Sequence, residues 1–535
     1  MNIKKNLIRT KSSLLLLMAL LSIVSCEEFL EEQPSTVIDS NYIYTTEEGL
    51  KSGVVSLYKF ERDRYDRSTE DYMGAVLMSS RSDLAFSRTG YTGNMGRYQR
   101  GISPDDLGAR FVSALFWKHY YNITSKATDI INAAEVASGI DEDVRNQVLA
   151  EAKFFRAHSY FYLYRMFNNI YVTTETVTVE NAFDVINGKS SEDEIFELLN
   201  SDLNFAIEHL DWNVTFGRVS KGTAKHVKAK VAMWEGNWQE AKIQALSVIE
   251  DPMSPHSLVA VGDVFKGDRN HSEQLFVVQS QDDALGGGEV TMMNANYVTQ
   301  YFQIPGIDAN VEQGGRGFSR VLPNRYLMNL IAEDPNDKRD DDTYFRLKYY
   351  YTTGVNTGEE IDIYKPISDE NPNGVQLARY YQRLHPSCIK FAQEDDDPTT
   401  YRQKSNILVY RLAETYLIAA EAMMRSSGDP LPYINAVRTR AKAAPLTSVN
   451  EQAILDERAR ELAFEGQRWF TLKRMGQAVI DRQITSYAGD GEYFPANLGD
   501  KDPRTNWQSH FINFPIAQID LDLLGPSYPQ NEGYN

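Results

Sequence analysis

The sequence predicts a mostly α-helical protein: a scaffold of paired helices carrying an irregular, loop-rich lobe with short β-strands. Three observations carry that expectation. Long segments in both halves of the 535-residue chain repeat apolar residues at helical spacing. Two of these segments set small residues where neighbouring helices would approach closely. Between them, residues 251–404 lose the periodicity and gather Gly, Pro, Asn and Asp, with only short β-like runs such as QLFVVQS (274–280).

The elements follow in order. Lys4, Lys5, Arg9 and Lys11 precede an eleven-residue apolar run, 14–24, the pattern of a secretory signal. That run is too short to span a bilayer, which takes ~20 apolar residues. Its last residues, IVSC (23–26), resemble a bacterial lipobox, so cleavage before Cys26 and acylation of its thiol are expected. Buried acyl chains at ~0.8 kcal/mol per CH₂ would make that anchor permanent. An acidic leader with Glu27, Glu28, Glu31, Glu32 and Pro34 runs to residue 45. Helices are predicted over 46–65, 112–137 and 142–167, the last two separated by Gly139. A fourth, over 190–210, opens with Ser191 and Glu194 spaced as a capping box.

Residues 220–250 read as a close helical hairpin, with Ala229, Ala232 and Gly236 on one arm and Ala241 and Ala245 on the other. Residues 410–441 repeat the device with Ala413, Ala420 and Ala422 before a Gly-Asp-Pro break. Both are tetratricopeptide-like pairs without the full 34-residue signature. The boundaries expected are a signal peptide at 1–25, a helical region at 26–250, the lobe at 251–404 and a second helical region at 405–535, with 26–535 forming one compact unit.

Composition narrows the function. Net charge is −19, and loss of residues 1–25, with four basic and no acidic side chains, leaves −23. Such a chain is a poor partner for nucleic acid or for an anionic membrane surface. With Cys26 acylated, Cys388 is the one remaining thiol, so no intrachain disulfide is expected. No HExxH, CxxC pair, GxSxG or phosphate-cradling loop occurs, and neither cofactor nor metal is expected. GGGE (286–289) reads as a turn, and HPSC (385–388) as a loop with a core thiol.

Glu457, Glu461 and Glu465 recur every fourth residue, with Arg458, Arg460 and Arg468 near enough to pair with them. Neighbouring guanidiniums lower a carboxyl pKa, whereas a general acid needs it raised, so an ion-pair network is the reading and no catalytic residue is assigned. The aromatics point elsewhere. Sugar rings present apolar faces that rest on aromatic planes, oriented by amide or guanidinium donors. Two loop regions supply such sets: Arg81, Phe86, Tyr91, Asn94 and Tyr98 within 79–101, and Asn296, Tyr297, Tyr301, Phe302, Arg316 and Phe318 within 294–320. All of these except Tyr98 are taken as candidate ligand-binding residues.

Several motifs, in order, resemble the RagB/SusD family of outer-membrane nutrient-binding lipoproteins. They are CEEFLEEQP from Cys26, the helix carrying Glu151, Ala152, Arg156, Ala157 and Tyr160, the hairpin at 217–241, YRLAETYLIAAEA with NAVRTRA (435–441), ERARELAFEGQRWFTLKRMG (457–476), and a close at Gln530, Asn531, Gly533 and Tyr534. Two departures stand out: NNIYVTTE (168–175) where the family shows Gly-x-x-Pro, and Ala517 where a second proline is common. The resemblance implies about four tetratricopeptide-like helix pairs and an irregular lobe. It further implies an acylated cell-surface protein that captures an oligosaccharide or polysaccharide and passes it, without chemistry, to a SusC-like TonB-dependent transporter. The acidic leader would serve as an export signal to the outer leaflet. A peptide ligand is the alternative within the same import system, and a glycan hydrolase using Glu461 or Glu465 a more distant one.

Overall fold

A computed structural model describes residues 44–65, 74–88, 95–98, 103–266, 270–279, 291–340, 343–361, 377–394, 396–401, 406–489 and 502–534. The signal, Cys26, the acidic leader, Tyr91, Asn94 and GGGE (286–289) lie outside the described residues.

Helix α1 (Glu47–Asp63) starts at Thr46, whose hydroxyl accepts from the Gly49 N–H at 3.1 Å, and turns Leu50, Val54 and Leu57 inward. The single helix expected over 112–137 is broken into three pieces. A short helix (Leu107–Val112) passes through a π-turn (Ser113–Trp117) into α2 (Lys118–Val136). The wider turn lets the adjacent Phe116 and Trp117 both reach the core, which a regular helix would set 100° apart. α3 (Glu142–Phe167) departs from the amphipathic stripe its sequence predicts. From Val148 to Phe167 every side chain except Lys153 is buried, because α2, α4 (Glu192–His209), the Phe276 strand and residues 511–534 surround it. Its buried Arg156 is neutralised by Asp202 of α4 through two 2.8 Å bonds. The capping box of α4 forms as expected, with Ser191 and Glu194 bonded reciprocally.

Asn168 ends α3 at φ +59° and ψ −56°, the centre of a γ-turn in which Asn169 N–H donates to Phe167 O at 2.6 Å.

α5 (Lys221–Trp234) and α6 (Trp238–Glu250) form the close hairpin, with Gly236 at φ +72° between them. α7 (Leu412–Arg425), α8 (Leu431–Arg440), α9 (Glu451–Leu462) and α10 (Arg468–Arg474) form the second helical region. The two small-residue hairpins pack against each other: Ala229, Ala232, Ala241 and Ala245 meet Ile418, Ala419 and Ala422 of α7. The other face of α7, with Ala413, Leu417 and Ala420, packs on Ile434, Val437 and Ile454.

Short antiparallel strands tie the lobe to the scaffold. β1 (Ala85–Ser87) pairs with β3 (Val321–Pro323), and β2 (Gln274–Val278) with β6 (Ile407–Arg411). β4 (Phe345–Arg346) and β5 (Ser387–Cys388) pair inside the lobe. Residues 511–534 close the core over the end of α3. Phe514 N–H donates to Met166 O at 3.0 Å, and the Asn531 amide bonds the carbonyls of Phe167 and Phe514.

One buried group in α1 yields a stability prediction. Both carboxylate oxygens of Glu61 lack a hydrogen-bond partner among the described residues, with Arg64 and His158 at 3.8 Å. Burial raises this carboxyl to about 7, against the opposing pull of Arg64. The folded state therefore holds a proton that the unfolded chain releases near pH ~4.3. The stability this proton contributes is present below that pH and is lost as pH rises through about 7. Glu61→Gln should match wild type near pH 4 and exceed it at pH 8, by up to about 3 kcal/mol. Denaturant unfolding at the two pH values measures it, and a difference that does not change with pH would contradict it.

Candidate ligand-binding surface

The surface is built on one irregular segment, residues 316–320, which turns at Ser319 (φ +56°). Its backbone lies on residues 295–298: Phe318 N–H donates to Ala295 O at 2.6 Å, Ser319 N–H to Val298 O at 2.8 Å, and Arg320 N–H to Asn296 O at 3.2 Å. Gly317 permits the approach, since a Cβ there would stand 1.9 Å from the Val298 carbonyl oxygen. Burial alternates along it, with Gly317 and Ser319 buried and Arg316, Phe318 and Arg320 half-exposed. Tyr401 stacks on Phe318 at 4.3 Å with planes 13° apart, and its edge faces Phe302 at 6.4 Å. The Arg316 guanidinium sits 4.7 Å from the Phe302 ring centre and 5.7 Å from that of Tyr401, and the Arg320 guanidinium 4.2 Å from that of Phe318. Three rings and two guanidiniums thus share one half-exposed face.

Burial divides the candidate residues. Phe302, Arg316 and Phe318 reach this face. Arg81, Phe86, Asn296, Tyr297 and Tyr301 are at most 2% exposed and cannot touch a ligand in this conformation. The Arg81 guanidinium is enclosed by Tyr98, Trp469 and Phe514 and donates to Phe511 O at 2.8 Å. Phe86 lies in β1 against Tyr381 and His385. Tyr297 bonds the Phe464 carbonyl, and Tyr301 stacks on Tyr349 while its hydroxyl donates to Asn310 O at 3.0 Å. Asn296 keeps a positioning role, because its Oδ1 accepts from Arg320 at 3.1 Å. Sequence reasoning missed Tyr401 and Arg320. The alternation R-G-F-S-R pointed to Arg320, whereas only the folded chain brings Tyr401 beside Phe318.

The carboxylate cluster is a network in the interior. Glu461 accepts from Arg339 at 3.0 Å, Arg411 at 2.6 Å and Arg440 at 2.5 Å. Glu457 pairs with Arg339, Arg438 and Arg460, and Glu465 with Arg411 and Lys390. Burial alone would raise Glu461, but Arg440, Arg411 and Arg339 overcome it and hold the carboxyl well below the usual range. That is the opposite of what a general acid requires. Of the arginines expected to pair with these acids, Arg460 does so. Arg458, one residue round α9 from Glu457, turns to Glu414, and Arg468, beyond the break between α9 and α10, pairs with Asp83. Cys388 is fully buried and its thiol is pushed up to about 12 by burial, while His385 is lowered to about 4 by burial and its Nε2 bonds the Pro323 carbonyl. The buried thiol stays protonated at neutral pH and His385 spends its Nε2 on a backbone carbonyl rather than on Cys388, so the two do not form an activated nucleophile–base pair.

The chain is thus a helical scaffold whose irregular lobe presents a half-exposed row of rings and guanidiniums. More narrowly, the chain belongs to the SusD family, whose sequence profile matches residues 265–534. It is similar to SusD-like protein P25 of Formosa agariphila, at 26% identity over 551 residues that cover 96% of this chain and 97% of the relative. It is 34% identical to starch-binding protein SusD of Bacteroides thetaiotaomicron over 131 residues, 24% of this chain and 22% of that one. The solved structure of a laminarin-binding SusD-like protein aligns at a TM-score of 0.67 and 21% identity, covering 91% of this chain and 99% of the other. That likeness establishes the shared fold.

Proposed function

We propose that this protein is a cell-surface lipoprotein that captures a glycan oligomer and delivers it to a TonB-dependent outer-membrane transporter without chemical change. The half-exposed face of Phe302, Phe318 and Tyr401, edged by Arg316 and Arg320, carries the reading. Starch and laminarin, named for the two relatives, are both glucans, and rings of this kind suit the apolar faces of a sugar. Binding without chemistry agrees with a carboxylate cluster whose members are buried and neutralised.

Each ring should contribute ~0.5–1.5 kcal/mol beyond its buried area. The double variant Phe318→Ala/Tyr401→Ala should therefore weaken binding about tenfold or more. A glycan and peptide array identifies the ligand, calorimetry on the folded variant measures the loss, and analysis of the incubated ligand should find no cleaved product. Unchanged affinity in the double variant would place the site elsewhere. Protein-dependent cleavage would favour an enzyme.

A further inference from the structure

Arg316 is a cation with rings around it and no anion. The chain carries 74 acidic against 55 basic side chains, and buried arginines such as Arg339, Arg411, Arg438 and Arg468 are each paired with a carboxylate. The fully buried Arg81 and Arg165 at least donate to the Phe511 and Phe161 carbonyls. Arg316 differs. Among the described residues no carboxylate pairs with it and no oxygen accepts from it, and its Nε is out of water without a partner. Asp396 and Asp397 border the same shallow recess as Arg316 and Tyr401, yet neither pairs with it.

The guanidinium lies over the Phe302 and Tyr401 rings, and with Nε enclosed its two terminal Nη groups form the N–H edge open to in-plane bonds. That edge matches the two oxygens of a carboxylate or sulfate group. Arg320 lies along the same segment, and Arg88 joins it by donating to Ser319 O at 2.8 Å, so three guanidiniums gather at this segment of an acidic chain.

We propose that the ligand of this face is an acidic glycan, whose carboxylate or sulfate ester is received by Arg316 while adjoining sugar faces rest on Phe318 and Tyr401. This assignment rests on the reading of the face as a glycan site. Salt alone would not report on the contact, because the acidic body repels a polyanion and both effects are screened over ~8 Å at physiological ionic strength. Chemical neutralisation of the ligand isolates the contact.

The experiment is calorimetry with paired oligosaccharides: uronate-rich oligomers before and after carboxyl reduction, and sulfated oligomers before and after desulfation. Wild type should bind at least one anionic member about tenfold or more tightly than its neutralised twin. The pair that responds distinguishes carboxylate from sulfate. Arg316→Gln should erase that ratio, Arg316→Lys should restore it in part, and Phe318→Ala should weaken both twins. Equal affinity of wild type for both twins, with Phe318→Ala still weakening them, overturns the acidic assignment and leaves the glycan face standing. A ratio that survives Arg316→Gln also overturns it. Binding of no oligosaccharide, or binding indifferent to Phe318→Ala and Tyr401→Ala, removes the glycan face and this assignment together. Thermal unfolding checks each variant, and Arg316→Lys carries the comparison should Arg316→Gln fail to fold.

Discussion

Glu461→Ala should destabilise the protein by about 3–5 kcal/mol, the range for breaking a buried charge network by removing one partner. Glu461 is fully buried and receives Arg339 from the lobe, Arg411 from β6 and Arg440 from α8. Removing the carboxylate leaves these guanidiniums with less compensation in a site that water does not reach. Glu461→Gln should also destabilise, by less, because a neutral oxygen still accepts. Denaturant unfolding of the purified variants measures both, and wild-type stability in Glu461→Ala would show that the network does not hold the lobe. The pH dependence has a defined sign. The lowered carboxyls of Glu457 and Glu461 contribute stability that is present above the unfolded value near ~4.3 and lost as pH falls through their folded values. Wild type should therefore show an acid limb that Glu461→Ala flattens.

Cys26→Ala should convert a membrane-bound protein into one that is released or stalled during maturation. This variant tests the proposed anchor directly, since Cys26 is the residue to which acyl chains would be joined. Each chain contributes ~0.8 kcal/mol per buried CH₂, and three together hold a protein irreversibly on the timescale of fractionation. Fractionation of cells expressing wild type and variant reads the result. A variant that sediments with the outer membrane as wild type does would refute the acylated anchor. The described body would then have to be held by protein contacts alone.

The helices were the most legible part of the chain. Their 3.6-residue periodicity, the caps at Thr46 and Ser191 and the small residues on α5, α6 and α7 report local physics that the folded state preserves. The π-turn at 113–117 was not legible, because it answers to where Phe116 and Trp117 must point. The complete burial of α3 was hidden for a similar reason: residues more than 300 positions away supply its outer cover.

The ligand face was legible only in part. An aromatic residue in a loop-like sequence can face either way, and the lobe builds its own small core from Val298, Tyr301, Ile304 and Tyr349. Tyr301 and Phe302 are adjacent, yet one packs inside while the other reaches the surface. The segment 316–320 carried a clearer mark, since Gly317 and Ser319 are small where the backbone lies flat on its neighbour. Arg81 shows the converse error, a charged residue that reads as surface and is caged by rings.

The closure of the core by residues 511–534 sets an order of events for a chain made from its amino terminus. Asn531 bonds the carbonyl of Phe167, Asn169 bonds those of Pro529 and Gln530, and Arg81 donates to that of Phe511. Until those late residues emerge, one side of α3 has no cover and its rings meet water. Contacts of such long sequence separation form slowly. Final closure of the core therefore waits on the last residues of the fold, and α3 is the helix whose burial is completed late.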